Sequence, residues 1–124
     1  IPNFMKQALT GENITVYGNG EQTRSFCYVS DMIDGLLALL RSDVDEPVNI
    51  GNPDERSILN LAEVIREVTD SESDVTYKER PPQDPEIRRP DISKARSELE
   101  WTPQVSLRDG LTQSMPYFES QLQL

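Results

Sequence analysis

Residues Tyr17–Asp31 read YGNGEQTRSFCYVSD. Two glycines bracket an asparagine, one arginine follows, and an aromatic, β-prone run ends in Ser-Asp. A loop of this kind either opens a dinucleotide site or presents a side chain to a phosphate. The first device needs three glycines as GxGxxG between a strand and a helix. Gly18 and Gly20 fit, but Thr23 holds the third place and a β-rich run follows. The dinucleotide reading therefore fails in both sequence and context. The glycines instead permit a sharp turn after ITVY, which brings Gln22, Thr23 and Arg24 beside that strand. A guanidinium held there offers planar, permanently charged donors that match phosphate geometry. It can equally pair with a nearby carboxylate, and the residues alone leave both readings open.

Outward from this loop, the pattern alternates short strands and amphipathic helices. NFMKQALTG places Phe4, Ala8 and Leu9 on one helical face, with Gly11 as its stop. ITVY and FCYV read as strands. SDMIDGLLALLRS reads as a helix capped by Ser30 or Asp31, with Ile33, Leu36, Leu37 and Leu40 at helical spacing. PVNIGNP reads as a buried strand. In SILNLAEVIREVTD, Ser57 caps a helix whose stripe is Leu61, Val64, Ile65 and Val68. DVTYKE reads as another strand. RPPQDPEIRRPD holds four prolines in twelve residues and must be extended or looped. Asp91 is placed to cap a short helix through Ala95 and Leu99, and Ser106 a last one. Leu107, Leu111, Met115, Phe118 and Leu122 share a face of that last helix, which Pro116 should kink or break. The class is α/β, and 124 residues suffice for a single domain over 1–124.

Charge and composition narrow the function. Acidic residues outnumber basic ones by 22 to 12, for a net charge of −10. Such a surface repels nucleic acid and anionic membranes. Nine arginines against three lysines fit a high-salt adaptation as well as a plain acidic surface. No apolar run nears the roughly 18 residues of a membrane span, and neither a signal peptide nor a setting other than cytoplasmic is expected. Cys27 is the one cysteine and histidine is absent, so a zinc site, a Ser-His-Asp set and a Cys-His pair are not expected. Within this acidic chain Arg80, Arg88 and Arg89 crowd the proline-rich loop, with Asp84 and Asp91 between them. That cluster is either an anion site, with aspartates for ribose hydroxyls, or a solvated salt-bridge patch.

Three segments, ITVYGNGEQTRSFCYVSDMIDGLLALL, PVNIGNPDERSILNLAEVI and QDPEIRRPDISKARSELEWTPQVSLRDGL, follow one another in order. Together they resemble the C-terminal, substrate-binding half of extended short-chain dehydrogenases that act on nucleotide sugars. The wording QTRSFCYVSD and DPxxRRPDI resembles UDP-glucuronate decarboxylases above all; dTDP-glucose 4,6-dehydratases and UDP-sugar 4-epimerases are near relatives. The resemblance implies the C-terminal portion of an NAD(P)-binding Rossmann-type fold. It implies that Arg24 clamps a nucleotide diphosphate and that Arg88 is a second phosphate-binding arginine. Thr15, Val16 and Tyr17 would run beside the base, with Gln22 in the same loop. Asn3 would lie near the phosphates, and Asp84 would contact the ribose. Asn49 and Gly51 would belong to a strand and turn that complete the fold.

In the family, NAD takes a hydride from the sugar C4, the ketone drives the chemistry, and the hydride returns, with a Tyr-x-x-x-Lys pair as base. None of the four tyrosines here has a lysine four residues on, and Tyr77 and Lys78 are adjacent. Catalytic and cofactor-binding residues are thus expected outside this chain, in an N-terminal dinucleotide-binding half. A non-catalytic nucleotide-binding or interaction module is the alternative of another class. Glu100 stands where the family usually has glycine before Trp101. Without the family's large sheet, Leu36, Leu37, Leu40, Val64, Ile65 and Phe118 would expose apolar faces, so a homodimer or other self-association is expected.

Overall fold

The computed structural model describes residues 1–83 and 85–124. Its elements in chain order are α1 (Pro2–Thr10), β1 (Ile14–Tyr17), β2 (Thr23–Ser25), α2 (Val29–Arg41), β3 (Glu55–Ser57), α3 (Ile58–Thr69), β4 (Val75–Lys78), α4 (Ser93–Leu99) and α5 (Leu107–Leu122). The strands form two small ladders. β1 and β4 run parallel, with Ile14 opposite Val75 and Tyr17 opposite Lys78. β2 and β3 run antiparallel. The α/β class is as the sequence predicts.

The main core lies where α1, α3 and α5 pack about β1. Met5, Ile14, Val16, Leu61 and Ile65 are its largest fully buried side chains. Ile14 and Val16 supply the inner face of β1, which leaves Thr15 and Tyr17 on the other. Gly11 ends α1 in the left-handed region at φ 78°. Ser57 accepts from Asn60 N–H, and Ser106 from Asp109 N–H, so both expected caps are present. Leu107, Leu111, Met115 and Phe118 of the α5 stripe join the core, and the helix continues through Pro116. Thr112 and Pro116 are both exposed, so water can reach the carbonyl that the missing N–H would have bonded.

Several expectations are corrected. FCYV is not a strand: β2 stops at Ser25, because β3 pairs with only three of its residues. PVNIGNP forms no ladder either, and no main-chain hydrogen bond joins it to another segment among the described residues. Its alternation is still real, because Val48 and Ile50 pack on a second cluster of Ile92, Ala95 and Trp101. Neither Ser30 nor Asp31 caps α2, whose N-cap is Tyr28. Asp91 sits one residue ahead of the α4 N-cap, Ile92, yet its Oδ1 still accepts from Ser93 N–H at 2.9 Å. A hydrogen bond from the Ser93 hydroxyl, and then that one from its N–H, hold the Asp91 carboxyl below its usual range.

The face of α2 is inverted relative to a buried helix. Ile33, Leu36, Leu37 and Leu40 are 38–79% exposed, while Asp31 and Gly35 are its buried residues. Val64 and Ile65 are buried and Phe118 packs against the main core, so the expected exposure holds for α2 and not for α3 or α5. No helix among the described residues is long and apolar enough to cross a membrane.

Candidate functional site

The glycine turn between β1 and β2 is built against α3. Gly18 N–H donates to the Lys78 carbonyl at 2.7 Å, which extends the β1–β4 ladder by one contact. Gly20 then turns at φ 77°, and a β-carbon there would lie 2.9 Å from Leu59 Cβ and 3.0 Å from Val16 Cγ1. Only glycine fits both the dihedral and the space.

The turn also uses the amides that begin α3. Ile58 N–H donates to the Gln22 carbonyl at 2.9 Å, Leu59 N–H to the Gly20 carbonyl at 3.0 Å, and Asn60 N–H to Ser57 Oγ at 3.0 Å. A helix start binds a phosphate through such free donors. Here they are already taken, and the segment after the turn is a strand. The donors of this helix start are therefore not open to a phosphate, and a ligand at the turn would meet side chains instead.

Those side chains converge on a cleft of about 260 Å³ lined by Phe4, Tyr17, Gln22, Arg24, Ile58 and Pro81. Tyr17 comes from the outer face of β1 and is 46% exposed. Gln22 is buried; its Nε2 donates to the Tyr17 carbonyl at 2.9 Å, while its Oε1 has no partner among the described residues. Arg24 comes from β2, where Nη1 donates to the Thr23 carbonyl at 2.6 Å, so the guanidinium is oriented by its own strand. An aromatic and aliphatic wall beside an oriented guanidinium suits a planar ring joined to an anion.

The proline-rich loop lies against the same strand. Thr23 N–H donates to the Glu86 carbonyl at 2.6 Å, and Ser25 Oγ to the Arg88 carbonyl at 3.2 Å. The Arg88 main chain is thereby held against β2, and Arg88 is exposed. Arg80 pairs with Glu86 at 2.8 Å, and Arg89 with Glu55 at 3.8 Å. Part of this loop is thus a salt-bridge patch. The ribose role expected of Asp84 lies outside the described residues.

Other expected residues are placed less directly. Asn3 is exposed in the first turn of α1, next to Phe4 of the cleft wall. Thr15 is held by Gln7, whose Oε1 accepts from Thr15 N–H and whose Nε2 donates to Thr15 Oγ1, both at 3.1 Å. Val16 is fully buried, so only its main chain, already laddered opposite Tyr77, could approach a ligand. Phe4, Ile58 and Pro81 complete the cleft, and only their apolar character marks them in the sequence.

Residues 1–114 match the family model described as GDP-mannose 4,6 dehydratase. The chain belongs to that family. It is 46% identical over 123 residues to a UDP-glucuronic acid decarboxylase 1 of Xenopus tropicalis, covering 99% of this chain and 29% of the relative. It is 50% identical over 111 residues to UDP-glucuronic acid decarboxylase 5 of Arabidopsis thaliana, covering 90% and 33%. Among solved structures, it is similar to the UDP-glucuronic acid 4-epimerase of Bacillus cereus, in complex with UDP-glucuronic acid and NAD. That match has a TM-score of 0.89 and 32% identity, and covers 96% of this chain and 39% of the other. The UDP-glucose 4-epimerase of Thermotoga maritima, with UDP-glucose, gives a TM-score of 0.90 at 30% identity, covering 96% and 38%. The fold is that of the extended short-chain dehydrogenases, and the family modifies nucleotide sugars. The chain spans about a third of the length of the curated relatives it matches.

Proposed function

We propose that this chain is the nucleotide-sugar-binding part of an NAD-dependent enzyme, and that the complete protein converts UDP-glucuronate to UDP-xylose by decarboxylation. The observation that carries the reading is Arg24, oriented by its own strand in a cleft walled by Tyr17, Phe4 and Ile58. Identities of 46–50% to UDP-glucuronic acid decarboxylases, against 30–32% to the two epimerases, favour decarboxylation over epimerisation.

In this reading Arg24 grips the diphosphate and Arg88 approaches it from the adjoining loop. Tyr17 lies against the base, Thr15 and the Val16 main chain flank it, and Gln22 fixes the loop through the Tyr17 carbonyl. Asn3 stands near the phosphates, and Asp84 takes the ribose. The start of α3 offers no open amides to the pyrophosphate of NAD, because they are already bonded. NAD, present with the Bacillus cereus epimerase, is proposed to sit outside these residues. The chain alone therefore binds without turnover, in a cytoplasmic setting. Its exposed α2 face drives self-association, which light scattering would detect as a mass above that of a monomer.

The test is titration calorimetry with UDP. Arg24→Ala should weaken binding by about 1.5–3 kcal/mol, the scale of hydrogen bonds to a charged group, and leave the melting transition nearly unchanged. Unchanged affinity ends the clamp. A lost fold with carboxylates left unpaired favours a purely structural arginine.

A further inference from the structure

Asn19 and Gly20 form the one Asn-Gly step in the chain. The other five asparagines precede Phe4, Ile14, Ile50, Pro53 and Leu61. Bulky side chains crowd the amide that follows, and proline has no N–H to give up. Glycine has no β-carbon to shield its nitrogen. Asn19 is exposed in the turn, where water reaches its side chain. Its Oδ1 accepts from Glu21 N–H at 3.0 Å, and its Nδ2 has no partner among the described residues. Gly20 N–H has none among them either, while the Gly20 carbonyl takes Leu59 N–H at 3.0 Å. The Asp109-Gly110 step is the opposite case: Gly110 N–H donates to the Ser106 carbonyl at 2.9 Å at the start of α5, so its nitrogen is engaged.

The contacts around Asn19 supply the parts of an intramolecular displacement. Gly20 N gives its proton to hydroxide and attacks Asn19 Cγ, which closes a succinimide ring. Nucleophile and carbonyl sit on neighbouring residues, so no second molecule has to be brought to Cγ. Negative charge gathers on Oδ1 as the bond forms, and Glu21 N–H is already bonded to that oxygen. The Cγ–Nδ2 bond then breaks, and Nδ2 takes a proton from water and leaves as ammonia. A second water opens the ring. Attack at Cγ restores the main chain and leaves an aspartate. Attack at the Asn19 main-chain carbonyl leaves an isoaspartate, with the main chain rerouted through the former side chain. The net change is NH2 for OH, with water as the only co-reactant and no oxidation or reduction.

We propose that Asn19 is a site of spontaneous deamidation, and that its isoaspartyl product unseats the turn between β1 and β2. The proposal holds whether or not the cleft binds a nucleotide. Aspartate at position 19 keeps an oxygen for Glu21 N–H, so the turn survives. Isoaspartate inserts one more carbon into the main chain immediately before Gly20. Gly20 has no room to shift: a β-carbon built on it already crowds Leu59 and Val16, and its carbonyl is tied to the first turn of α3. The turn connects Tyr17 to Gln22, both on the cleft wall, so the damage falls on the candidate site.

The 124-residue chain is held at mildly alkaline pH and sampled over days, beside a synthetic peptide of residues 14–25 and the Asn19→Ser variant. The serine hydroxyl can still accept from Glu21 N–H. The wild type should accumulate acidic species on anion exchange, and Asn19→Ser should not. Peptide mass spectrometry should place the exchange of NH2 for OH at residue 19 and find the other five asparagines intact. The separated aspartyl form should melt with the fresh protein. The isoaspartyl form, recognised by an isoaspartyl methyltransferase, should melt several degrees lower. If Asn19 stays intact in the folded chain while the peptide converts, the fold shields the amide and the proposal is overturned. Acidic species in Asn19→Ser at the wild-type rate place the change elsewhere and overturn it as well. A product that is aspartyl alone, or an isoaspartyl form that melts with the fresh protein, overturns the effect on the turn.

Discussion

Trp101 and Asp31 are 70 residues apart in sequence and joined in space: the indole Nε1 donates to the Asp31 carbonyl at 3.1 Å. The side chain of Asp31 closes the same junction from the other side. Its Oδ1 accepts from Gln104 N–H at 3.0 Å and its Oδ2 from Val105 N–H at 2.9 Å. One residue in the first turn of α2 thereby holds the chain that leads into α5.

Asp31 is only 3% exposed, so removing its carboxylate strands two main-chain donors. Asp31→Ala should lower stability by about 2–4 kcal/mol, the range expected when a buried charged acceptor with two partners is lost. Asp31→Asn keeps one carbonyl oxygen and should cost less. Urea unfolding of the three proteins side by side gives the order, and an Asp31→Ala midpoint equal to wild type would falsify the lock.

Glu100 ends α4 in the left-handed region at φ 53°, with its N–H bonded to the Ala95 carbonyl. The strain of a side chain there, about 1–2 kcal/mol, exceeds the entropy that glycine adds to the unfolded chain, about 0.4–1 kcal/mol. Glu100→Gly should therefore stabilise the protein by roughly 0.5–1 kcal/mol. A thermal melt should show a higher midpoint; a lower one would mean that the glutamate makes compensating contacts.

Burial raises the Cys27 thiol above its ordinary range, and the nearby Asp31 carboxylate adds to the shift. Both effects disfavour the thiolate, so the neutral form is kept as pH rises through the usual thiol range. Thiol labelling of the folded chain should be slower than that of the urea-unfolded chain near neutrality. The rate should climb only at a pH above the unfolded titration. Equal rates in the two states would count against the buried setting.

Local signals were legible wherever the chain could satisfy them alone. Ser57 and Ser106 cap as their side chains dictate, Gly11 takes its left-handed turn, and Leu61, Val64 and Ile65 bury the stripe that their spacing draws. Local signals mislead where a partner decides. Strands need neighbours: Val48 and Ile50 alternate like a strand, yet no strand among the described residues pairs with them, and Phe26 to Tyr28 lie beyond the reach of the short β3. Helix periodicity shows that α2 has an apolar side but not whether anything covers it. In the site, Arg24 and Tyr17 were readable as residue types on a turn and a strand. Gln7 was not, because a side-chain amide that takes a strand partner's place beside Thr15 leaves no local signature.

The saturated amides at the start of α3 carry one more implication. A phosphate cradle made of main chain is inseparable from its fold, and altering its taste for ligands means rebuilding the loop. In the proposed site, ligand preference resides in exchangeable side groups on a short ladder, mounted over a helix start that Gly20, Gln22 and Ser57 have sealed. Selectivity for one anion or another can drift along this scaffold by single substitutions, while the scaffold itself stays put.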